Sequence, residues 1–314
     1  SGDGQAIRLW DTQSGKLKQL LAVEQNFVRT LAYSPDGRWL AAGVGLPFGK
    51  LLVWDNQTGD LTVQLANVRT GLQSSFGFHP GGRFLVYSDS SFAIHLLNLD
   101  GNEVCRTAEA HQAPIDLLLF SPDGAALASQ DRDGLLCLWR ITPDGAISRQ
   151  AQVQGSGTNA DLWNLAFSAD GQKLAFQLDS QSLGIFDLNR GQLQSTVAQS
   201  LHNEGCLAFS HDGRFLVTAG LDGRLHLWDA TTGDSLGLLP GHAGAVRTMA
   251  VAPRNGRVAS GGDDGHVRVW DIQARSCCLT VTQPGPYEGM DITDAIGLSP
   301  AQIETLKSLG AVVV

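Results

Sequence analysis

The sequence predicts an all-β fold built from one repeated four-stranded unit, and three observations carry that expectation. First, a short phrase ending on an aromatic residue and usually Asp keeps returning: IRLWD at 7–11, LLVWD at 51–55, LCLWR at 136–140, GIFDL at 184–188, LHLWD at 225–229 and VRVWD at 267–271. With a degenerate copy at Leu97, the aromatic positions Trp10, Trp54, Leu97, Trp139, Phe186, Trp228 and Trp270 are spaced 44, 43, 42, 47, 42 and 42 residues apart. A fixed period of about 40–45 residues is that of one four-stranded propeller blade. Second, each phrase has a tight-turn motif upstream. Third, glycine makes up 37 of the 314 residues, about 12% against a usual ~7%, and no long helix-period stretch occurs before the last thirty residues. The expected architecture is a seven-bladed propeller with its first blade incomplete.

The elements follow in order. The turns are SPDG at 34–37, HPGG at 79–82, SPDG at 121–124, SADG at 168–171, SHDG at 210–213 and APRN at 252–255. Proline presets φ and glycine accepts the positive φ such turns need. Flanking runs such as VRTLAYS and RWLAAGV alternate and are rich in β-branched and aromatic residues, so they read as strands. The chain opens SGDGQAIRLWD, which matches a repeat only from the end of its second strand. Blade one therefore lacks its first strand and most of its second, and two strands plus four from each of six blades give 26. An open strand edge invites aggregation, so the expectation is that this is the C-terminal piece of a longer polypeptide.

The division expected is a propeller over 1–283 and a tail over 284–314. In the tail, Ser299, Pro300 and Gln302 read as N-cap, first-turn proline and capping partner, with Gly310 closing a short helix. Ile303, Leu306 and Leu309 share one face, which is expected to dock near the seam between blade seven and the broken blade one. Val312–Val314 adding a strand there is the weaker expectation.

Composition excludes several function classes. A net charge of −9 and a pI near 5.3 argue against nucleic-acid binding, which leans on clustered Lys and Arg. No apolar run is long enough to span a membrane and no signal peptide opens the sequence. The five cysteines (Cys105, Cys137, Cys206, Cys277, Cys278) have no metal-ligand spacing and read as reduced thiols of a cytoplasmic protein. Cys277 and Cys278 are strand neighbours that face opposite sides and should not pair. GVGLPFG at 43–49 lies between two strands, whereas a phosphate cradle needs a helix end. DRDG at 131–134 lacks the later ligands of a calcium loop. Asn56-Gln57-Thr58 fits a glycosylation sequon that is moot inside a cell, and His79, His95, His211, His226 and His266 show no metal spacing. No cofactor and no metal is expected.

The period, the turns and the Trp-Asp endings together resemble the WD40 family over roughly residues 1–283. Two repeats carry a matching set, His111, Ser129, Asp133 and Trp139, and His242, Ser260, Asp264 and Trp270, each at offsets 0, 18, 22 and 28. A Ser, His and Asp together invite a hydrolase reading. The resemblance implies instead a structural hydrogen-bond chain from the indole N–H through Ser and His to Asp. A serine held by both neighbours is no nucleophile, and a triad would not occur twice in register. Elsewhere the set decays. Blade six keeps Thr218, Asp222 and Trp228 but has Ser200 where His is expected. Blade two has Glu24 and Ala42, blade three Arg69 and Tyr87, and blade five Phe176. Those blades are expected to rely on packing.

The stretch from Pro286 to Ala311 resembles the tail of bacterial, notably cyanobacterial, WD40 proteins. Many of those carry an upstream signal-transduction NTPase of the NACHT or NB-ARC kind. That resemblance implies a non-catalytic sensing and interaction domain of a larger switch protein, with binding energy shifting an attached module between states. The alternative is a free-standing scaffold. A propeller enzyme would need inward polar or metal-ligating groups, and no repeated set of them is present. The partner expected is a protein or peptide on the face where the innermost strands begin. There the positions Arg29, Ser74, Asp116, Trp163, Gly205 and Arg247 recur in register. Arg29, Asp116, Trp163 and Arg247 are the candidate contacts, because Trp and Arg dominate interface energetics. The 47-residue step into blade five is expected to form an irregular, mobile excursion around 154–161, beside Trp163.

Overall fold

In this computed structural model the residues described are 6–11, 13–23, 27–45, 47–70, 76–101, 103–109, 111–155, 165–179, 182–198, 206–252, 256–282, 293, 300–308 and 312. For 105–109, 240, 300, 301 and 308 the description is of backbone only. Among these residues, 26 strands form six four-stranded antiparallel sheets and one two-stranded sheet.

Blade one is β1 (Ala6–Trp10) and β2 (Leu17–Ala22). Blade two is β3 (Val28–Tyr33), β4 (Trp39–Val44), β5 (Phe48–Asp55) and β6 (Leu61–Arg69). Blade three is β7 (Phe76–Phe78), β8 (Phe84–Ser88), β9 (Ala93–Asn98) and β10 (Glu103–Glu109). Blade four is β11 (Ile115–Phe120), β12 (Ala126–Asp131), β13 (Leu135–Ile141) and β14 (Ile147–Gln154). Blade five is β15 (Leu165–Phe167), β16 (Lys173–Asp179), β17 (Ser182–Asp187) and β18 (Gln192–Val197). Blade six is β19 (Cys206–Phe209), β20 (Phe215–Ala219), β21 (Arg224–Asp229) and β22 (Ser235–Pro240). Blade seven is β23 (Val246–Val251), β24 (Arg257–Gly262), β25 (His266–Asp271) and β26 (Ser276–Thr282). The sheet count agrees with the sequence reading, down to a first blade of two strands.

Each blade is a simple meander, so the first-to-second and third-to-fourth turns lie at one end and the remaining connections at the other. The turn chemistry explains the tight end. Ser34 Oγ donates to Asp36 Oδ1 at 2.5 Å and accepts from Trp39 N–H at 2.8 Å. Ser121, Ser168 and Ser210 do the same in their blades. The fourth residue has φ between 66° and 75° in five of these turns (Gly37, Gly82, Gly124, Gly171, Gly213), a conformation costly to any residue with a Cβ.

Apolar side chains are buried in slabs between consecutive blades. Ile7 and Leu9 of blade one meet Leu40 and Trp54 of blade two. Phe84 and Leu96 of blade three meet Leu118 and Trp139 of blade four. Ala128 and Leu136 meet Phe186, and Val217 and Leu227 meet Trp270. Blades two and four to seven thus pack their repeat aromatic against the blade before it. The two ends of the series are bare. Trp10 is 50% exposed, whereas Trp54, Trp139, Trp228 and Trp270 are 1–7% exposed. On the far face of blade seven, Val267, Leu279 and Val281 are each about half exposed.

The tail helix α1 spans Pro300–Ser308, close to the expected limits. Ile303 and Leu306 are half-buried while Gln302, Glu304, Thr305 and Lys307 are exposed, as one apolar face requires. Leu309 and the link before Ser299 lie outside the described residues, apart from Thr293. Cys137, Cys206, Cys277 and Cys278 are free thiols.

Candidate functional site

The recurring polar set forms a hydrogen-bond chain inside blades four and seven. In blade four the Trp139 indole N–H donates to Ser129 Oγ (2.8 Å), and Ser129 Oγ lies 2.7 Å from His111 Nε2. The acid that completes this chain is Asp131, whose Oδ2 is 2.8 Å from His111 Nδ1. This corrects the expectation of Asp133, which is exposed and gives only its backbone N–H to Asp131 Oδ1 (3.1 Å). Blade seven follows the expected pattern: Trp270 to Ser260 (2.8 Å), Ser260 to His242 Nε2 (2.8 Å), and His242 Nδ1 to Asp264 Oδ1 (2.9 Å).

The reason for the shift lies at the position eight residues before the tryptophan. It is Asp131 in blade four and Gly262 in blade seven. A Cβ at Gly262 would stand 2.6 Å from His242 Nδ1 and 3.0 Å from Asp264 Oδ1. That position therefore points straight at the histidine. Where it carries an acid, the acid takes the imidazole; where it is glycine, the acid two residues later reaches over it. In both blades the carboxylate receives Nδ1–H, so Nε2 accepts from the serine hydroxyl and the serine accepts from the indole. Every polar hydrogen is used, and no serine oxygen is left to act as a nucleophile.

The decayed blades hold their polar groups differently. In blade three Tyr87 occupies the serine position, stacks on His95 at 4.8 Å between ring centroids, and His95 Nε2 meets Asp89 Oδ2 at 2.8 Å. Burial, with Asp89 nearby, pushes the Tyr87 hydroxyl up to about 12. In blade six Trp228 donates to Thr218 Oγ1 (2.9 Å), while Asp222 is met by His226, not by the missing first histidine. Blade five has Phe176 at the serine position and Gly184 beneath it; a Cβ at 184 would come within 2.7 Å of the Phe176 ring. Among the described residues no three His, Cys, Asp or Glu side chains converge as metal ligands would.

At the end where the innermost strands begin, the candidate contacts part ways. Arg29 is exposed, and its guanidinium lies 5.7 Å over the ring of Phe27, itself 69% exposed. Phe27 was missed in the sequence reading, because it stands just before the strand. Arg247 is also exposed and forks onto Asp263, Nε to Oδ1 at 2.7 Å and Nη2 to Oδ2 at 2.6 Å. That pair raises the arginine and lowers the acid. Asp116 is not presented to a partner: it is 6% exposed. Arg69 Nε donates to its Oδ1 at 3.0 Å, joined there by Arg69 Nη2, and Arg132 Nε donates to its Oδ2 at 3.1 Å. Trp163, Ser74 and Gly205 lie outside the described residues, as does 156–161 of the excursion into blade five. Gln154 and Gly155, where it starts, are tied to Asp133 O and Gly134 O.

Four segments of the chain, 15–46, 102–140, 196–229 and 233–271, match the family model described as "WD domain, G-beta repeat". These four segments are WD40 repeats. Each matched segment starts on or just before the last strand of one blade and ends on the second or third strand of the next, and two of them hold the complete polar chains. This WD40 chain is 26% identical over 283 residues to a "WD repeat-containing protein WDS homolog" of Arabidopsis thaliana, covering 86% of this chain and 52% of that protein. It is 23% identical over 261 residues to "WD repeat-containing protein 1" of Xenopus tropicalis (69% and 43% covered). It is 21% identical over 320 residues to "Apoptotic protease-activating factor 1" of Mus musculus (87% and 25% covered). The WD40 chain thus spans about half or less of the length of these curated relatives.

Proposed function

We propose that this WD40 domain is a non-catalytic platform that binds a protein partner on the face where its innermost strands begin. WD repeat proteins serve as protein-interaction scaffolds, and the observation that carries the reading to this face is the exposed Phe27–Arg29 pair. An aromatic ring and an arginine left in water are the residue types that dominate interface energetics. Arg247 and Trp163 belong to the same ring of positions and are proposed contacts with them. Asp116 supports the face from below, holding Arg132 toward solvent.

A second reading makes the same platform the sensing arm of a cytoplasmic signal-transduction protein with an attached NTPase. One observation favours it: a relative named as an activator of a protease carries a matching stretch within a quarter of its length. The relatives named above are eukaryotic, so a bacterial setting rests on the tail resemblance alone.

Photo-crosslinking tests the platform. A crosslinking amino acid at Phe27 or Arg247 is expected to trap one partner, and Arg29→Ala is expected to weaken the purified complex by ~10-fold. Equal trapping from Leu193, on the outer strand of blade five, would overturn the face assignment.

A further inference from the structure

The repeats supply their own reference: a residue that breaks the pattern in one blade can be compared with its equivalents in the others. Three such breaks converge between blades three and four, at the end opposite the proposed partner face. At the first turn position, Ser34, Ser121, Ser168 and Ser210 are matched in blade three by His79 and in blade seven by Ala252. At the third, Asp36, Asp123, Asp170 and Asp212 are matched in blade three by Gly81 and in blade seven by Arg254. At the residue after the repeat aromatic, Asp11, Asp55, Asn98, Asp187, Asp229 and Asp271 are matched in blade four by Arg140.

His79, Gly81 and Arg140 all line a single cleft of about 420 Å³, together with Arg83, Phe84, Ile141 and Pro143. That volume is of the size that takes a small ligand or a few side chains. The substitutions remove two carboxylates from its walls and add a guanidinium, in a protein whose net charge is −9. Local contacts decide here, because bulk charge is screened beyond about 8 Å in physiological salt.

Each break has a structural consequence that leaves the cleft open and positive. The acid at the post-aromatic position ordinarily caps the next turn: Asp55 Oδ1 accepts from Gln57 N–H at 2.8 Å, and Asp229 Oδ1 from Thr231 N–H at 2.7 Å. Blade four moves this job two residues on. Thr142 Oγ1 donates to Asp144 Oδ1 (2.5 Å) and accepts from Ala146 N–H (3.0 Å). Arg140 is thereby released from capping. It is exposed and, among the described residues, has no acidic partner. Arg83 lies over the Phe84 ring at 5.2 Å, and its nearest carboxylate, Asp100, is 3.9 Å away.

His79 is fixed as well. Its Nδ1 accepts from Gly81 N–H at 2.9 Å, so Nε2 carries the hydrogen and donates to Gly124 O at 3.2 Å, across the blade boundary. Burial lowers its basicity, so it is a neutral, rigid wall, and the lining charge comes from the two arginines and Asp123. Asp123 is occupied by Ser121 Oγ and Ala125 N–H.

We propose that this cleft binds an acidic segment of a partner protein, a carboxylate side chain between Arg83 and Arg140 with an adjacent apolar side chain against Phe84, Ile141 and Pro143. Guanidinium forks match carboxylate geometry, and the apolar wall selects a peptide over a bare anion. The site is separate from the face proposed above, and neither depends on the other.

The test uses two fluorescein-labelled hexapeptides, Asp-Glu-Phe-Asp-Glu-Leu and its neutral counterpart Asn-Gln-Phe-Asn-Gln-Leu, read by fluorescence anisotropy on the intact chain. The acidic peptide is expected to bind at least ~10-fold more tightly than the neutral one. Arg140→Asp, which restores the acid of the other repeats, and Arg83→Gln are each expected to lose ~10-fold. Arg214→Gln, at the position of blade six equivalent to Arg83 and outside the cleft, is expected to leave binding unchanged, as is Arg29→Ala. Equal binding of the two peptides, an equal loss from Arg214→Gln, or no binding of either peptide would each overturn the proposal.

Discussion

Blades four and seven carry the same polar chain, yet they meet solvent to different degrees. Every residue of the second strand of blade four, β12, is buried, whereas in its equivalent β24 Arg257 is exposed and Ala259, Gly261 and Gly262 are only partly buried. The outer strand keeps partly buried residues in blade four, β14, and is exposed throughout in blade seven, β26. A second pair of equivalent positions makes the contrast sharper. The second residue of the innermost strand meets the first residue after the second strand in both blades, but with the signs reversed: Asp116 with Arg132, and Arg247 with Asp263. Blade four buries only the acid of its pair: Arg69, at the end of β6 in blade two, reaches over Asp116, while Arg132 keeps 48% of its side chain in water. Blade seven leaves its pair in water, both side chains more than 40% exposed. The repeat geometry decides which side chains meet, and the neighbouring blade decides what the meeting is worth.

The largest effect should come from breaking the buried Arg69–Asp116 pair. Asp116→Ala strands the buried Arg69 charge and is expected to cost about 3–5 kcal/mol, whereas Arg247→Ala, which removes a solvent-screened pair, should cost far less. Urea unfolding of both variants checks the contrast, and equal costs would dissolve it. The next effect concerns packing at equivalent positions three residues before the tryptophan. Leu136 is 1% exposed and Val267 47% exposed. Leu136→Ala should cost about 2–5 kcal/mol, and Val267→Ala about 0.5 kcal/mol or less.

The polar chains themselves should behave alike. Ser129→Ala and Ser260→Ala each orphan a buried indole N–H and an imidazole nitrogen, for about 1–3 kcal/mol apiece. Similar values in the two blades would show that the chain is insulated from the bare flank of blade seven. A smaller difference separates the two acids of blade four. Asp131→Asn should lower the thermal midpoint clearly, while Asp133→Asn, an exposed substitution, should stay within about 0.5 kcal/mol of the parent.

The last prediction is the acid limb. Burial alone would raise the Asp264 carboxyl, but hydrogen bonds from His242 and from the Ala243 and His266 N–H groups outweigh it and hold it well below the ordinary carboxylate range. An acid that titrates lower in the folded than in the unfolded chain contributes stability that is present above about pH 4 and lost as the pH falls further. Urea midpoints of Asp264→Asn should therefore fall less steeply below about pH 4 than those of the parent, with no change of slope between pH 5 and 8.

What the sequence determined by itself was the repeat. A 42–47-residue period, a Ser/Pro/Asp/Gly turn and a Trp-Asp ending are local chemistry, and local chemistry is written in consecutive residues. Blade count, strand count, the two-stranded first sheet and the serine-histidine-tryptophan chains followed from it, and the capping residues marked the short tail helix. Tertiary structure decided everything that passes between blades. Asp131 displaced Asp133 because one Cβ vector points at His111 and the other does not, a fact of sheet geometry invisible to an offset count. Asp116 went inside because Arg69, 47 residues away, comes over it. The cleft at His79 and Arg140 exists because two pattern breaks 61 residues apart face the same gap. Periodicity places a residue within its own blade; burial and charge are set by the blade beside it.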